Sequence, residues 1–283
     1  MSQINKIYLC AINNIQSGIC NEDCKFCTQS VKHKANIQRY KQKDIKDIIT
    51  EAKLAKQNKA IGYCLVTAGA GLDDERLEFV CETASILTKE VPDISLIACN
   101  GLASLEQLKE LKKAGIQNYN HNLETSKEFY SSICTTHNWE DRFQTCLNVK
   151  ESGLNLCAGG IFGMGESNED RISLMNSIKE LNPMSIPMNF FHPNEALPIK
   201  VDTMDTKTAF ELISQMRSLM PEAMIMVAGG REITFKEQQY DVFKYGANSI
   251  VIGDYLTTSG QVISKDLQAI EKLGYTIATD CKV

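Results

Sequence analysis

The sequence contains no long uninterrupted run of apolar residues and no large excess of charge of one sign. No stretch of its 283 residues reaches the roughly 20 apolar residues that a membrane-spanning helix needs. No secretory signal precedes the first cysteine-rich segment, so we expect a cytoplasmic protein without a membrane partner. The net charge of −5 gives no reason to expect nucleic acid as a partner.

Proline is also scarce, with 6 residues, and no Pro- or Gly-rich linker divides the chain. No shift in composition marks a domain boundary. Hydrophobic residues make up 43% of the chain, which is enough for a sizeable core. We therefore expect a single domain over residues 1–283, a size that α/β barrels commonly have, with a cysteine-rich loop at about residues 18–30.

Cysteine, in contrast, is abundant, and the 11 residues form an odd number. Because the cytosol keeps thiols reduced, we expect metal ligands and buried thiols rather than disulfides. Three thiols lie in one short loop as Cys20-x-x-x-Cys24-x-x-Cys27, with no local fourth. A four-iron cluster takes one ligand per iron, so three protein thiolates would leave one iron open to another ligand. A zinc knuckle or incidental thiols are the alternative, although structural zinc sites usually complete four protein ligands.

Short apolar runs alternate with longer amphipathic ones, which is the pattern of repeated βα units. Eight strands are predicted, at Ile7–Ile12, Gly62–Thr67, Ser95–Cys99, Gln117–Asn120, Leu154–Ala158, Ser185–Phe190, Met224–Val227 and Ser249–Ile252. The predicted helices are Asp44–Gln57, Asp74–Thr88, Ser104–Ala114, Trp139–Ser152, Glu169–Leu181, Thr206–Ser218, Phe235–Tyr245 and about Lys265–Leu273. Asp44, Ser104 and Thr206 suit helix N-caps. One parallel (βα)8 barrel of the TIM type is the economical interpretation, and a doubly wound open sheet is the alternative.

Polar and thiol side chains recur within these predicted strands or just after their ends. Function gathers at the C-terminal face of the sheet in a (βα)8 barrel. The residues placed there are Cys64, Cys99, Asn120, Asn122, Cys157, Asn189 and Arg231. Each cysteine alone is an ordinary candidate for a buried thiol, but three thiolates facing one barrel interior indicate a second metal site. We expect no ligands among the remaining cysteines, which are Cys10, Cys81, Cys134, Cys146 and Cys281.

The segment Tyr119–Thr125 alternates amide and carboxylate groups just past the fourth predicted strand. Alternation sends Asn120, Asn122 and Glu124 to one side. Amides both donate and accept hydrogen bonds, which suits a urea or a ribose, and a turn with helix caps is the alternative. Arg231 follows two glycines at a strand end, where an arginine usually forms a salt bridge or binds an anion.

Taken together, these segments resemble the biotin synthase family of the radical S-adenosylmethionine (SAM) superfamily. The resemblance rests on the cysteine loop, on the asparagine-rich segment and on the run Cys157-Ala158-Gly159-Gly160-Ile161. It implies a radical SAM barrel, usually a homodimer, that converts dethiobiotin to biotin. It also implies a 4Fe-4S cluster held by three cysteines and SAM, which cleaves SAM, and a 2Fe-2S cluster, held by three cysteines and an arginine, which donates sulfur.

The same resemblance implies roles for individual residues, and it assigns the radical chemistry to the clusters and SAM rather than to catalytic side chains. The 4Fe-4S ligands would be Cys20, Cys24 and Cys27, and the 2Fe-2S ligands would be Cys64, Cys99, Cys157 and Arg231. Contacts to SAM are implied for Phe26, Asn122, Glu124, Arg142 and Ile161, and contacts to dethiobiotin for Asn120, Asn122 and Asn189. Glu124 departs from the aspartate that is common in the family.

Protein partners are implied as well, namely a flavodoxin-type reductase and iron–sulfur assembly proteins. The basic stretch from Lys32 to Lys43 could receive an acidic reductase, although a solvated loop is the simpler interpretation. Two competing functions remain at this level. One is a radical SAM enzyme with a different reaction, and the other is a non-catalytic iron–sulfur or zinc protein.

Overall fold

A computed structural model describes residues 4–281 of the chain. Within this range ten strands run parallel, numbered in chain order: β1 (Lys6–Asn14), β2 (Gly62–Val66), β3 (Ser95–Cys99), β4 (Asn118–Asn120), β5 (Asn155–Cys157), β6 (Gly160–Phe162), β7 (Ser185–Phe190), β8 (Met224–Val227), β9 (Ser249–Val251) and β10 (Thr276–Ile277). Their order is β1-β2-β3-β4-β5-β7-β8-β9, and β9 pairs back with β1 where Tyr8 meets Ser249. This pairing closes the sheet into a barrel, which confirms the predicted (βα)8 architecture and excludes the open sheet.

The fifth position of the barrel consists of two short strands instead of the single predicted one. Cys157 of β5 pairs with Ser185 at the start of β7, and Gly160 of β6 pairs with Met188 further along β7. Gly159 lies at the break, where a Cβ atom would come 1.9 Å from the carbonyl oxygen of Pro187. Only glycine, which has no Cβ, allows the two backbones to approach so closely. β10 pairs with β1 outside the closed barrel.

Nine α-helices occur over the described range: α1 (Ile45–Gln57), α2 (Asp74–Glu90), α3 (Leu105–Lys113), α4 (Lys127–Ile133), α5 (Trp139–Ser152), α6 (Asn168–Leu181), α7 (Thr206–Leu219), α8 (Arg231–Phe235) and α9 (Ile263–Lys272). Asp44 and Ser104 cap α1 and α3 as predicted, because their side chains accept hydrogen bonds from backbone N–H groups of the first turn. The N-cap of α7 is Asp205 rather than the predicted Thr206. Its carboxylate accepts a hydrogen bond from the N–H of Thr208 at 2.9 Å.

The predicted helix at Phe235–Tyr245 is wrong. α8 ends at Phe235, and two short 3-10 helices follow, at Lys236–Gln238 and Asp241–Phe243. Lys236 has a φ of +48°, which lies outside the right-handed helical region, so α8 cannot continue through it. α4 is a helix that the apolar pattern does not indicate, because seven residues are too few to display a helical period.

The apolar core fills the layer between the barrel strands and the surrounding helices. Leu9 and Leu65 on the strands and Ile48, Val80 and Leu111 on the helices are fully buried there. Packing in this layer holds the strands in place. The side chains that face the barrel interior are not needed for that packing, so thiols and amides can occupy those positions. No helix within residues 4–281 has both the length and the apolar character to cross a bilayer.

Candidate active site

A cavity of about 350 Å³ runs through the barrel interior to the loops that follow the C-terminal ends of the strands. Ten of the expected site residues line it: Phe26, Cys27, Cys64, Cys99, Asn120, Asn122, Glu124, Cys157, Ile161 and Asn189. The other four, Cys20, Cys24, Arg142 and Arg231, are not part of its wall. The structure therefore brings most of the residues suggested by the sequence to one place, as the strand-end register predicts.

The loop with the three motif cysteines follows β1 and closes on itself at its base. The N–H of Cys20 donates to the carbonyl of Gln29 at 3.2 Å, and the N–H of Val31 donates to the carbonyl of Cys20 at 2.8 Å. The chain turns between Cys24 and Cys27, where the N–H of Cys27 donates to the carbonyl of Cys24 at 3.0 Å. Burial raises the pKa of Cys27 to about 11. A bound cation would favour the thiolate form of such buried thiols, so the loop fits a metal cluster.

Asp23 anchors this loop to the connection between α4 and α5. Its carboxylate accepts hydrogen bonds from the backbone N–H of Thr135 at 2.9 Å and from the hydroxyl of Thr136 at 3.1 Å. A backbone bond adds to the anchor, since the N–H of Lys25 donates to the carbonyl of Ile133 at 2.8 Å. The two segments are far apart in sequence, so only the folded structure reveals that they meet.

The anchor places two further residues, Cys134 and His137, next to Cys24. The sequence alone does not connect them with the loop. The Sγ of Cys24 lies 3.6 Å from the Sγ of Cys134 and 3.4 Å from Nε2 of His137. The hydrogen bond between the two thiols raises the pKa of Cys24 and lowers that of Cys134 to about 4. The spacing Cys134-x-x-His137 is the sequence signal that could have indicated this pair of donors.

Three further thiols point into the barrel interior. Cys64 and Cys99 lie on the neighbouring strands β2 and β3, and Cys157 ends β5. The interaction between the two neighbouring thiols raises the pKa of Cys64 and lowers that of Cys99. Burial raises the pKa of Cys157 to about 12. Three desolvated sulfur atoms around one cavity form a donor set that suits an iron–sulfur cluster.

Cys10 and Cys281 also line this cavity, although the sequence analysis sets them apart from the sites. Cys10 lies on β1 and is buried. A Cβ atom at Gly62, on the neighbouring strand, would come 2.8 Å from the Sγ of Cys10. The glycine therefore leaves room for the thiol, and the cavity wall holds more sulfur than the family resemblance implies.

Arg231, the expected fourth ligand of the second cluster, is not among the residues that line the cavity, although the preceding Gly230 is. Its side chain is 0% exposed, and its Nη1 and Nη2 atoms donate to the two carboxylate oxygens of Asp266 at 2.9 and 3.0 Å. Although burial opposes it, the bond to Asp266 raises the pKa of Arg231. A protonated guanidinium offers no lone pair to a metal. The structure shows the salt bridge that is also expected for an arginine at this position.

Arg142 lies on α5 behind the cavity wall. Its Nε donates to the carbonyl of Asn122 at 2.6 Å, and its Nη2 donates to Oε1 of Glu124 at 2.9 Å. Burial raises the pKa of Glu124, and the positive charge of Arg142 opposes that rise. Oε2 of Glu124 is buried and has no hydrogen-bond partner among the described residues. The carboxylate thus retains an acceptor for a ligand.

The amides of the cavity wall differ in how completely the protein satisfies them. Asn189 accepts a hydrogen bond from the N–H of Gly229 at 2.9 Å and donates to the carbonyl of Gly160 at 3.2 Å. Asn120 donates to the Sγ of Cys99 at 3.6 Å, but within residues 4–281 nothing donates to its Oδ1. A buried acceptor without a donor is costly, so Asn120 and Glu124 fit a ligand that brings N–H or O–H groups.

Comparison with known proteins agrees with this arrangement. Residues 14–178 match the family profile described as "Radical SAM superfamily", and residues 187–276 match "Biotin and Thiamin Synthesis associated domain". Among solved structures, the chain superposes on methylornithine synthase with a TM-score of 0.81 at 19% identity, covering 97% of this chain and 84% of the other. It superposes on an FeFe-hydrogenase maturase from Carboxydothermus hydrogenoformans with a TM-score of 0.83 at 15% identity, covering 97% and 68%. These two likenesses concern the fold.

Curated relatives are much closer in sequence. A biotin synthase of Aliarcobacter butzleri is 64% identical over 98% of both chains. One from Nitratiruptor sp. is 62% identical, and one from Campylobacter jejuni is 57% identical, each over 98% of this chain and 99% of the relative. Family profiles, near full-length relatives and the thiol-lined barrel lead to the same result. The chain belongs to the biotin synthase family of radical SAM enzymes.

Proposed function

We propose that this chain converts dethiobiotin to biotin by radical SAM sulfur insertion. The observation that carries the proposal is one barrel cavity whose wall contains both Cys27 of the loop and the interior thiols Cys64, Cys99 and Cys157. A sulfur-inserting radical enzyme needs its radical source and its sulfur source to face one substrate. An enclosed cavity also excludes water and holds a reactive radical near its target.

In this proposal Cys20, Cys24 and Cys27 hold a 4Fe-4S cluster whose open iron binds SAM, and Cys64, Cys99 and Cys157 hold a 2Fe-2S cluster. When bound, these groups supply one-electron cleavage of SAM, a 5′-deoxyadenosyl radical that abstracts hydrogen from dethiobiotin, and the sulfide that is inserted. The chain's own contribution is to hold the thiolates, to orient SAM and the substrate, and to keep water out. The fourth ligand of the 2Fe-2S cluster is Arg231, as the family resemblance implies; Asp266 holds its Nη1 and Nη2, and its Nε has no hydrogen-bond partner among the described residues.

SAM is positioned by residues on two sides of the cavity mouth. Arg142 lies behind the cavity wall with its Nε and Nη2 bonded to Asn122 and Glu124, and its positive charge attracts the SAM carboxylate. Oε2 of Glu124 is a buried acceptor that the ribose hydroxyls would satisfy, and the backbone of Glu124 is held by the N–H of Ile161 at 2.7 Å. Phe26 and Ile161 line the cavity as apolar surfaces for the adenine. Asn122 completes the ribose contacts, with its Oδ1 fixed by the N–H of Gly159 at 3.1 Å.

Dethiobiotin is held through its ureido ring by the amides of Asn120, Asn122 and Asn189. The free Oδ1 of Asn120 supports this role, because the ureido group carries N–H donors. Asn120 also contacts Cys99, so a ring bound there would lie beside the sulfur source. The chain works as one barrel unit in the cytoplasm, as a homodimer, with a flavodoxin-type reductase and iron–sulfur assembly proteins as partners.

The test is anaerobic reconstitution of the full chain with iron and sulfide, followed by SAM, a strong reductant and dethiobiotin. We expect biotin and about two molecules of 5′-deoxyadenosine per molecule of biotin, because two hydrogen abstractions are required. Both products are measured by mass spectrometry. Cys24→Ala should form neither product. Formation of 5′-deoxyadenosine without biotin would support the radical chemistry but contradict dethiobiotin as the substrate. Neither product from iron-loaded wild-type protein would favour a non-catalytic iron–sulfur protein.

A further inference from the structure

Three donor atoms of a kind that binds zinc converge beside the cysteine loop, and a carboxylate lies near one of them. The Sγ atoms of Cys24 and Cys134 are 3.6 Å apart, and Nε2 of His137 lies 3.4 Å from each of them. Oε2 of Glu22 lies 4.0 Å from the same ring nitrogen. Two thiols and one imidazole supply three ligands for this class of cation, and the carboxylate of Glu22 would have to move closer to supply the fourth.

The spacing of the two sulfur atoms and the ring nitrogen is close to that of an occupied site. A tetrahedral zinc ion with bonds of about 2.3 Å to sulfur and about 2.0–2.1 Å to nitrogen separates two sulfur ligands by about 3.8 Å, and sulfur from nitrogen by about 3.6 Å. The observed separations of 3.6, 3.4 and 3.4 Å agree with those edges to about 0.2 Å. A cation could therefore enter with only small movements of the three side chains.

Two further contacts prepare the site for a cation. Oε2 of Glu22 is buried and has no hydrogen-bond partner in the described part of the chain, so it lacks the positive or donor group that it needs. The hydroxyl of Tyr130 lies 2.8 Å from Nδ1 of His137, which orients the ring so that Nε2 faces the thiols. Fixing the far nitrogen of a histidine is the usual way in which proteins aim a metal-binding imidazole.

The anchor between the loop and the α4–α5 connection holds both halves of the site in place. Asp23 already accepts hydrogen bonds from Thr135 and Thr136, and its Oδ1 lies 3.3 Å from the Sγ of Cys134. These bonds fix Cys134 opposite Cys24 without any cation. A site assembled in advance loses less conformational entropy on binding than one that must fold around its ion.

We propose that the cluster-free chain binds one thiophilic divalent cation of the zinc class through Cys24, Cys134 and His137, with Glu22 as the fourth ligand. Both sulfur atoms bind the cation as thiolates. Cys24 is shared with the proposed 4Fe-4S site, so the cation and that cluster exclude each other. This competition, unlike the cation site itself, rests on the proposed function.

The test uses the full chain freed of metal by a chelator under anaerobic conditions, with Co²⁺ as a spectroscopic probe and Zn²⁺ as its competitor. We expect the visible bands of tetrahedral cobalt and a thiolate charge-transfer band of the strength that two thiolates give. Cys134→Ser and His137→Gln should each weaken zinc binding about 100-fold, because each removes one of four ligands. Cys81→Ser is the matched control and should leave affinity unchanged, since Cys81 is a half-buried thiol on α2, away from the loop.

The outcomes separate the alternatives. If Cys134→Ser and His137→Gln bind zinc as tightly as wild type while Cys20→Ser and Cys27→Ser do not, the three loop thiols hold the cation and the proposal is overturned. Circular dichroism of each variant shows whether it is folded, and the two variants test the site independently. The titration uses neither SAM nor dethiobiotin, so failure of biotin formation does not affect it.

Competition is measured as the rate of iron incorporation during reconstitution. Zinc-loaded wild-type protein should take up iron for the loop cluster only after a chelator is added. Zinc should slow the Cys134→Ser variant much less. Equal rates for the two proteins would show that the cation and the cluster do not compete. The cation site itself is tested by the cobalt titration.

Discussion

The barrel contains two buried arginine–carboxylate pairs, one beside the cavity and one between α8 and α9. Arg142 pairs with Glu124 at 2.9 Å, and Arg231 pairs with Asp266 at 2.9 Å. Asp266 uses both oxygens for Arg231 and also accepts from the hydroxyl of Tyr240 at 2.9 Å. Glu124 keeps one oxygen without a partner among residues 4–281.

The difference shows what makes a buried charge available to a ligand. The carboxylate of the Arg231 pair is fully used, so this pair serves the fold. Glu124 lies on the cavity wall with spare acceptor capacity, so the Arg142 pair can bind something else. Residue type and burial alone do not distinguish the two arginines. Changes around the cavity should therefore alter activity and spare stability, and changes around α8 and α9 should alter stability.

The largest effect is expected from Cys157→Ser, on the cavity side of the comparison. Removing a sulfur ligand of the proposed interior cluster should abolish biotin formation, while 5′-deoxyadenosine still forms from SAM. The free energy of unfolding should change by less than about 1 kcal/mol, since serine nearly preserves the volume. Mass spectrometry of both products and visible absorption of the clusters measure the result. Cys146→Ser is the control, because Cys146 is buried on α5 and does not line the cavity.

Arg231→Ala tests the other side. It leaves the carboxylate of Asp266 buried without its partner, so the free energy of unfolding should fall by about 3–5 kcal/mol. Chemical denaturation measures this change. The double variant Arg231→Met with Asp266→Leu removes both charges and should recover most of the loss. If Arg231→Ala keeps its stability and loses only the interior cluster, the arginine serves the cluster rather than the fold and the comparison fails.

Arg142→Lys should weaken SAM binding about 10- to 100-fold, because lysine keeps the charge but loses the fork that holds Asn122 and Glu124, a loss of roughly 1.5–3 kcal/mol. Stability should change little, since a positive charge remains near Glu124. Isothermal titration of cluster-loaded protein with SAM measures the affinity. Unchanged SAM affinity together with a large loss of stability would place Arg142 in the same structural class as Arg231.

The smallest effect concerns pH. Burial, together with the positive charge of Arg142, lowers the pKa of His121 well below its usual 6.5. The unfolded chain then binds a proton near pH 6.5 that the folded chain does not. The contribution of neutral His121 to stability is therefore complete above pH 6.5 and is lost below it, at up to about 1.4 kcal/mol per pH unit. Denaturation from pH 7 to pH 5 should show this slope, and His121→Gln should flatten it.

The sequence was sufficient to predict the barrel and most of its cavity wall. The alternation of apolar runs fixes strand positions, and parallel strands deliver their last residues to one face, so Cys64, Cys99 and Cys157 could be placed together without a structure. The pairing of Arg231 with Asp266 could not be found in this way. Gly230 has a φ of +79° and turns the chain into α8, which carries the arginine away from the strand end. The contact of Cys24 with Cys134 escaped as well, because 110 residues separate them.

Closure of the barrel by β9 has a consequence for how the protein is made. All the thiols of the loop and Cys64, Cys99 and Cys157 precede β9 in the chain, and β1 receives its second neighbour only when Ser249–Val251 has been synthesised. Synthesis of the stretch from Cys157 to Val251 takes roughly 5–20 s at ordinary translation rates. During that interval the barrel cannot close, because β9 has not yet paired with β1, so the interior thiols are not sealed from metal ions and oxidants. The seam between the first and the ninth strand thus sets the moment at which the interior is sealed.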